Sequence, residues 1–413
     1  MPFPVIILGC VFLLIAIRQV GRFRVGIWHV MLGGALVVLI SGDMTPAEAV
    51  RAINIDVLLF LFGMFVVGTA LEESGYLSYL SYRWFRRATD MNHLILFVLL
   101  GMGTASAILM NDTLAIIGTP VVLLLARQQG IPPRIMLITL AFAITIGSTM
   151  SPIGNPQNLL IALEGQLSNP FITFLKYLFI PTVINLFIAY WLIRRFYRHE
   201  FSNNRLKHLK PSVHDRQLAN VSKVSLIILL SLILLKMLTI LLHNGSAFRL
   251  TYIALLSALP ILLFGKKRFV ILKKLDWSTL VFFTSMFVLM QAVWDTGFFQ
   301  DLMSGMDLDF SANGVIMGVS VLLSQFISNV PMVALYLPVI DGTGMNHEGL
   351  MALAAGSTIA GNLLILGAAS NIIIIQNAEK KSGIKLKFQE FAAIGIPMTV
   401  INILVYWLYM SLL

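Results

Sequence analysis

Apolar segments long enough to cross a membrane follow one another along almost the whole chain. A spanning helix needs roughly 20 mostly apolar residues. Only 12% of the 413 residues are charged, whereas a soluble domain averages about a quarter, so this chain cannot solvate a globular surface. The sequence therefore predicts an all-α polytopic membrane protein with about ten spanning helices, near 4–20, 25–41, 53–71, 135–163, 170–193, 224–242, 250–264, 278–294, 350–378 and 388–412.

Two further apolar regions, 93–126 and 312–340, are each interrupted at a polar point. The interruptions read "NDT" from Asn111 to Thr113 and "SNVP" from Ser328 to Pro331. Each half contains about 15 residues, or roughly 22 Å of helix, which is shorter than a bilayer core of about 30 Å. We therefore predict two re-entrant hairpins that enter and leave the membrane on the same side.

The charges of the connecting loops predict how the chain is oriented. Basic residues gather in the loops that follow spans one, three, five and seven, and the loops predicted on the opposite side carry mainly acidic residues. Since Lys and Arg are enriched on the cytoplasmic side, both termini are expected outside and the basic linker 196–223 inside, in a bacterial inner (plasma) membrane. The basic residues of these loops are Arg22, Arg24, Arg83, Arg86, Arg87, Arg194, Arg195, Arg198, Lys266, Lys267, Lys273 and Lys274.

The two halves of the chain resemble each other. Gly75 pairs with Gly297 at a shift of 297−75=222, and Asn158 pairs with Asn371 at 371−158=213. At the hairpin tips, Asn111 pairs with Asn329 at a shift of 329−111=218. An odd number of spans separates the matches, so we predict inverted repeats over 1–195 and 224–413. Inverted repeats with broken helices are typical of secondary transporters.

Helix-breaking residues interrupt one predicted span in each repeat. Within 135–163, Pro152 and Pro156 remove amide donors and Gly154 loosens the backbone between them. The matching break in 350–378 is predicted around Gly361 and Gly367. Irregular backbone is tolerated at membrane depth only where it is buried in protein or lines a wet cavity. The breaks therefore predict a binding site.

Amide groups and helix ends at such breaks can bind ions of either sign. Carbonyl and amide oxygens suit a hard cation such as Na⁺, and the helix N-termini after the breaks suit an anion. A Na⁺ coupling ion is expected at Asn111, Ser148, Thr149, Gly154 and Asn158, and no other cofactor is expected. The residues predicted to bind substrate are Asn111, Thr113, Asn155, Asn158, Ser328, Asn329, Ser370 and Asn371.

Asp112 is the one carboxylate predicted at a hairpin tip. A charged side chain at the bilayer centre costs roughly 2.5–3.5 kcal/mol on insertion scales, so it marks a functional site by default. It could couple transport to protons, ligate a cation, or cap the helix that follows it. Its counterpart in the second repeat is Val330, so this charge occurs once per chain.

Enzymatic and nucleic-acid functions are not expected. The chain contains no phosphate-binding Walker loop, no nucleophile elbow and no histidine pair at metal-ligand spacing. Its net charge of +10 fits cytoplasmic loops better than nucleic-acid binding. A soluble ATPase partner docking on the basic linker stays open, although no motif supports it.

Three motifs carry a resemblance to a known family. "NDTLAIIGTP", "SPIGNPQN" and "SNVPMVALYLP" resemble the ion transporter superfamily in its citrate-transporter-like and arsenite-permease branch, and the resemblance covers nearly the whole chain. It implies a homodimer in which a transport domain moves against a scaffold domain in an elevator-type alternating-access mechanism. The superfamily's Gly-x-Pro-x-Asn break maps onto Gly154, Pro156 and Asn158.

The hairpin tips depart from part of that superfamily. Its divalent-anion/sodium symporters resemble this chain but place Ser-Asn-Thr at each tip, where it contacts carboxylate and Na⁺. Here the tips read Met110-Asn111-Asp112 and Ser328-Asn329-Val330, so only the asparagines and Ser328 carry over. The "ND" and "NVP" motifs look more like the arsenite-permease and Na⁺/H⁺-antiporter-like branch.

These observations predict a secondary active transporter of a small anion or oxyanion, coupled to Na⁺ or H⁺. The alternatives are a Na⁺/H⁺ antiporter, for which Asp112 is the available titrating carboxylate, and an arsenite-type efflux permease.

Overall fold

A computed structural model describes the chain apart from residues 18, 21–22, 25, 86, 166, 168, 202–214, 242–248, 299, 302–308, 310–311, 328, 343–346 and 385. The first half contains α1 (Phe3–Ile17), α2 (Ile27–Ser41), α3 (Pro46–Ala52), α4 (Ile55–Glu73), α5 (Tyr76–Phe85), α6 (Met91–Leu109), α7 (Asn111–Gln129), α8 (Pro133–Ser148), α9 (Pro156–Glu164) and α10 (Pro170–Phe196). Between α1 and α2, the two-residue strands β1 (Gln19–Val20) and β2 (Phe23–Arg24) pair antiparallel.

The second half repeats this order of elements, except that residues 302–308, in the region that corresponds to α5, lie outside the described residues. It contains α11 (Arg216–Leu241), α12 (Leu250–Phe264), α13 (Arg268–Lys274), α14 (Trp277–Asp295), α15 (Asn313–Ile327), α16 (Asn329–Gly342), α17 (His347–Leu363), a 3-10 turn (Ile365–Gly367), α18 (Ala369–Ser382) and α19 (Phe388–Met410). Every predicted span coincides with a helix or a broken helix. Helix α11 begins at Arg216, inside the predicted linker 196–223, of which 202–214 lies outside the described residues.

The distribution of apolar side chains is that of a membrane protein. Within the described residues, six helices are long and apolar enough to cross a membrane. Helix α10 exposes large apolar side chains to the outside, with Trp191 59% exposed, while Thr182 and Asn185 on the same helix are buried. This inside-out pattern fits a lipid-facing exterior around a polar interior. The six helices are Ile55–Glu73, Met91–Leu109, Pro170–Phe196, Arg216–Leu235, Trp277–Asp295 and Phe388–Met410.

Helices α4 and α14 begin and end with the same local chemistry. Asn54 and Asp276 are their N-caps, each accepting from the backbone N–H three residues on. Gly75 and Gly297 follow their C-termini with φ of 73° and 71°, a left-handed conformation that glycine adopts without strain. Both pairs are 222 residues apart (276−54 and 297−75), which is the shift that the sequence comparison gave.

Each predicted hairpin is a pair of helices, and the first is longer than predicted. Helices α6 and α7 have 19 residues each instead of the predicted number of about 15. Each is therefore about 28 Å long. The reason is that Asp90 caps α6 ahead of the apolar run and Gly130 ends α7 in the left-handed conformation beyond Arg127. Helices α15 and α16, with 15 and 14 residues, match the prediction.

Both predicted breaks are present. The first leaves residues 149–155 outside regular helix, between α8 and α9. The second lies between α17 and α18 and contains the 3-10 turn with Gly367. Gly361, predicted as a breaking residue, instead lies inside α17. A Cβ at that position would stand 2.7 Å from the Ala368 Cβ, so the residue is small because of close packing rather than because the helix ends there.

Helices from the two halves interlock around the breaks. The second arm of the first hairpin, α7, packs against α18, and the second arm of the other hairpin, α16, packs against α9. Within the first half, α6 and α8 approach so closely that a Cβ on Gly147 would lie 2.1 Å from the Gly103 carbonyl oxygen. Each hairpin is therefore held against the second half of the opposite broken helix.

Candidate substrate and ion site

The two broken helices meet at Thr358 of α17. Its hydroxyl accepts from Asn155 Nδ2 at 3.1 Å and donates to Asn158 Oδ1 at 3.2 Å, and Gln157 Nε2 lies 3.4 Å away. All four side chains are buried. A single hydroxyl of one half thus joins three amides of the other, and it fixes the first break against the second helix.

Equivalent asparagines hold the ends of both breaks. Asn158 Nδ2 lies within 3.2 Å of the carbonyl oxygens of Ser148, Thr149 and Ser151. Asn371 Nδ2 donates to the carbonyl of Gly361 at 2.6 Å. Ser148 and Gly361 each precede their asparagine by ten residues. Both side chains satisfy carbonyls that the interruption has left without a helical partner.

The tip of the first hairpin docks on the first break. The backbone N–H of Asn111 donates to the Gly154 carbonyl at 2.8 Å. Met110, just before it, has a φ of 71°, and a non-glycine residue held in that region stores strain of order 1–3 kcal/mol. Strain of this kind clusters at functional sites, and sequence reasoning had no signal for it.

The side chains at this tip are buried and retain unused polar atoms. Asn111, Asp112 and Thr113 are 4%, 2% and 2% exposed. Asn111 Oδ1, Asp112 Oδ2 and Thr113 Oγ1 have no hydrogen-bond partner. Among the described residues, Asp112 is the only buried residue with a charged side chain. Because an unpaired buried polar atom costs about 1–3 kcal/mol, this tip has unused capacity for a ligand.

The N-termini of the helices after the breaks differ between the halves. Asn155 caps α9 by accepting from the Asn158 N–H at 2.8 Å. Its counterpart Ala368 (368−155=213) gives α18 no side-chain cap, and the nearby Ser370 Oγ and Asn371 Oδ1 are unpaired. Helix α18 therefore has free amide groups and the positive end of its dipole in the interior.

The remaining predicted residues have mixed environments. Asn329 is 5% exposed with Oδ1 unpaired, and Ser328 lies outside the described residues. The Ser148 and Thr149 carbonyls predicted for Na⁺ already accept from Asn158, and the Ser148 hydroxyl accepts from Asn155 at 3.1 Å. A cation there would have to share these oxygens with amide donors. Within the described part of the chain, no group of three His, Cys, Asp or Glu is placed to hold a metal.

A small cavity of about 30 Å³ lies beside the N-terminus of α18. Thr279 and Phe282 of α14 line it together with Ala369 and Ile372 of α18. A cavity of this size is large enough to hold ordered water. The contribution of α14 was not predicted, and Thr358 was not among the residues predicted to bind substrate or Na⁺. The shift of 213 pairs Thr358 with Thr145 of α8 and Ala368 with Asn155.

Two hairpins docked onto two broken helices, in a bundle with an apolar exterior, define a membrane transporter. The family model described as Citrate transporter matches residues 11–350, and this chain belongs to that family.

One relative and one solved structure similar to this chain are named as transporters. An uncharacterized transporter of Mycobacterium tuberculosis strain H37Rv is 27% identical over 422 residues, which cover 97% of this chain and 96% of the relative. The human P protein is 25% identical over 98% of this chain and 59% of its own length. The solved YdaH transporter of Alcanivorax borkumensis aligns with a TM-score of 0.55 at 15% identity, over 99% of this chain and 96% of the neighbour, and it supports the fold.

Proposed function

We propose that this protein is a secondary active transporter of a small anion or oxyanion, coupled to H⁺ or Na⁺ and working by an elevator-type movement. The observation that carries the proposal is the pair of uncapped helix N-termini. Neither Met110 before α7 nor Ala368 before α18 provides a side-chain cap, and these two helices pack against each other. Buried N-termini with free amides are binding sites for anions.

The position of Asp112 supports coupling. It lies in the first turn of α7 and is buried, and one of its oxygens has no partner. A carboxylate there repels an anion at the same helix end, and the low dielectric of the interior strengthens that repulsion. Binding of the anion therefore requires that a proton or Na⁺ neutralise Asp112, so anion and cation bind together.

Polar side chains complete the proposed anion site. Asn111, Asn329 and Ser370 have unpaired oxygens, and their amide or hydroxyl groups can turn to donate to an oxyanion. Asn371 Nδ2 donates to the Gly361 carbonyl, and its second N–H is proposed to donate to the anion. Thr113 and Ser328 are proposed to line the same site. Asn155 and Asn158 hold the first break in shape through the bonds to Thr358 and the α8 carbonyls.

The transport assay uses the purified full chain in proteoliposomes, with anions first selected by thermal shift with and without Na⁺. We expect Asn158→Ala to abolish uptake. Asp112→Asn is expected to retain anion exchange but to lose accumulation driven by a proton or Na⁺ gradient. Matched controls are Asn313→Ala at the start of α15 and Asp215→Asn, whose carboxylate pairs with Lys267 at the surface. Gradient-driven accumulation by Asp112→Asn would refute the coupling scheme.

A Na⁺/H⁺ antiporter is the second candidate, because Asp112 alone could carry the proton. It predicts Na⁺-driven proton flux in vesicles that contain no transportable anion, and this flux should be absent in Asp112→Asn. An arsenite-type permease would be identified by arsenite flux in the same vesicles. We expect no enzymatic activity and a homodimer in a bacterial inner membrane with both termini outside, which cross-linking and reporter fusions can test.

A further inference from the structure

A second buried polar cluster lies behind the breaks, where α10 crosses α19. Its members come in pairs that match between the halves: Thr149 with Asn362, Thr182 with Thr399, and Asn185 with Asn402. The shifts are 362−149=213 and, for the other two pairs, 399−182=217 and 402−185=217. All six side chains are at most 1% exposed. This cluster is therefore built by both halves together and shares no side chain with the proposed anion site.

Two hydrogen bonds join the cluster between the halves, and a third lies within the second half. The hydroxyls of Thr182 and Tyr406 lie 2.6 Å apart. Asn185 Nδ2 donates to the Asn402 carbonyl at 3.4 Å, and Asn362 Nδ2 donates to Asn402 Oδ1 at 3.2 Å. The amide donors of Asn185 and Asn362 are thus directed into the protein framework, which leaves their oxygens for another partner.

Several oxygens of the cluster are not used. Asn185 Oδ1, Asn362 Oδ1 and Thr399 Oγ1 have no hydrogen-bond partner, and neither does Asn402 Nδ2. Carbonyl oxygens of α17 face the same region of α19, because a Cβ on Gly395 would stand 2.2 Å from the Asn362 carbonyl oxygen and 2.8 Å from that of Leu363. These are C-terminal carbonyls of α17, which has no further helical turn to satisfy them.

Oxygen atoms at helix C-termini suit a cation. Helix α8 ends at Ser148 and α17 ends at Leu363, so both helices end beside the cluster, and the C-terminal end of a helix carries partial negative charge. Unwound carbonyls and half-helix C-termini coordinate Na⁺ in broken-helix transporters. The cluster favours a cation over an anion, because the amide donors of Asn185 and Asn362 are already bonded to Asn402 and three of the four unpaired atoms are oxygens.

We propose that this cluster binds one Na⁺ ion through Asn185 Oδ1, Asn362 Oδ1, Thr399 Oγ1 and the carbonyls at the end of α17. One water molecule accepts from Asn402 Nδ2 and completes the coordination. The ion binds without the transported anion. Its role as a coupling ion rests on the proposed transport function, whereas its binding does not.

Binding of ²²Na⁺ to the purified full chain, with no anion added, tests the proposal. Thr399→Val keeps the shape of the side chain and removes the hydroxyl, and Asn362→Leu removes the amide. Each is expected to weaken Na⁺ binding at least tenfold. Thr139→Val is the matched control, since Thr139 is a buried hydroxyl of α8 that is satisfied by the Ile135 carbonyl at 2.7 Å. Thermal unfolding in choline chloride checks that each variant is folded.

Na⁺ affinity that is unchanged in both Thr399→Val and Asn362→Leu would overturn the assignment, as would a wild-type protein that binds no Na⁺. Loss of Na⁺ binding in Asn158→Ala, with both cluster variants unaffected, would place the ion at the first break instead. Anion-induced thermal shifts are read separately, so a failure of this proposal is distinguishable from a failure of the proposed transport function.

Discussion

The candidate site lies near one end of the helices that flank it. A Cβ on Gly68 would stand 3.3 Å from Thr113 Cγ2 at the hairpin tip, and Gly68 is five residues from the end of α4 (73−68). Thr279 lines one cavity with Ile372 and is the third residue of α14. The loop charges predict that both of these helix ends face the cytoplasm. On that predicted orientation, the site is closest to the inside in this conformation.

Exchanging the conformations of the two repeats predicts the opposite state. The shift of 222 maps Thr279 onto Val57, and the shift of 213 maps Ile372 onto Leu159. Val57 and Leu159 should therefore meet when the site faces outward. The site therefore lies beside Gly68 of α4 in the present conformation and beside Val57 of α4 in the opposite one. These two residues are 68−57=11 positions apart along the helix. At 1.5 Å per residue the predicted displacement is about 16 Å.

Cysteine cross-linking measures this displacement. Cys10 is the single cysteine, so Cys10→Ser gives a clean background. One pair is Thr279→Cys with Ile372→Cys, and the other is Val57→Cys with Leu159→Cys. A disulfide needs Cα atoms within roughly 7 Å, so a displacement of this size separates the two states. Protection from maleimide-polyethylene glycol after oxidation in membranes reports each link, and the single-cysteine variants are controls.

Both pairs should cross-link, and each link should stop transport until it is reduced. If the Val57 and Leu159 pair stays fully reactive in protein that transports at the wild-type rate, the repeat-exchange reasoning is refuted. If both pairs link in the same molecules, the movement is much smaller than 16 Å.

Two further predictions concern stability in detergent. Asn158→Ala should lower the free energy of unfolding more than Asn371→Ala. The two N–H groups of Asn158 Nδ2 are shared among three carbonyls, whereas Asn371 Nδ2 donates to one, and each unpaired carbonyl costs about 1–3 kcal/mol. Equal thermal shifts would contradict this. Asp90→Ala should cost about 1 kcal/mol at pH 7 through loss of the α6 cap. The His93 backbone N–H holds the pKa of Asp90 below its usual value, so this stabilisation is present above about pH 4 and is lost as the pH falls through the lowered pKa; a mutant difference that is as large at pH 3 as at pH 7 would count against it.

The sequence predicted the helices and the breaks well because lipid allows few alternatives. Backbone that leaves regular helix at membrane depth must be satisfied within the protein, so Pro152, Gly154 and Pro156 have a clear consequence. The length of α7 was predicted less well, because its end is set by the left-handed Gly130 beyond a charged residue, and hydropathy does not report such local caps.

The sequence identified several polar residues of the candidate site, but it did not predict their hydrogen-bond partners. Asn158 and Asn371 were identified from their place in the motifs, yet the carbonyls that they serve follow only from the backbone path. Thr358 joins the halves because α8 and α17 pack against each other at this point. A contact between residues about 200 positions apart cannot be predicted from the local sequence of either segment. Gly361 was wrongly predicted to break the helix, because a glycine that allows close packing and a glycine that ends a helix cannot be told apart from the sequence.

The differences between the repeats are more informative about function than their similarities. The asparagines that satisfy the breaks occur in both halves, because any interrupted helix needs its carbonyls paired. By contrast, Asn155 is replaced by Ala368, which leaves one helix N-terminus uncapped, and Asp112 is replaced by Val330, which leaves one hairpin tip without a charge. A framework that needed only to fold would gain nothing from these differences. They give one half of the site a free positive helix end and the other a carboxylate, which is the asymmetry that joint binding of an anion and a cation requires.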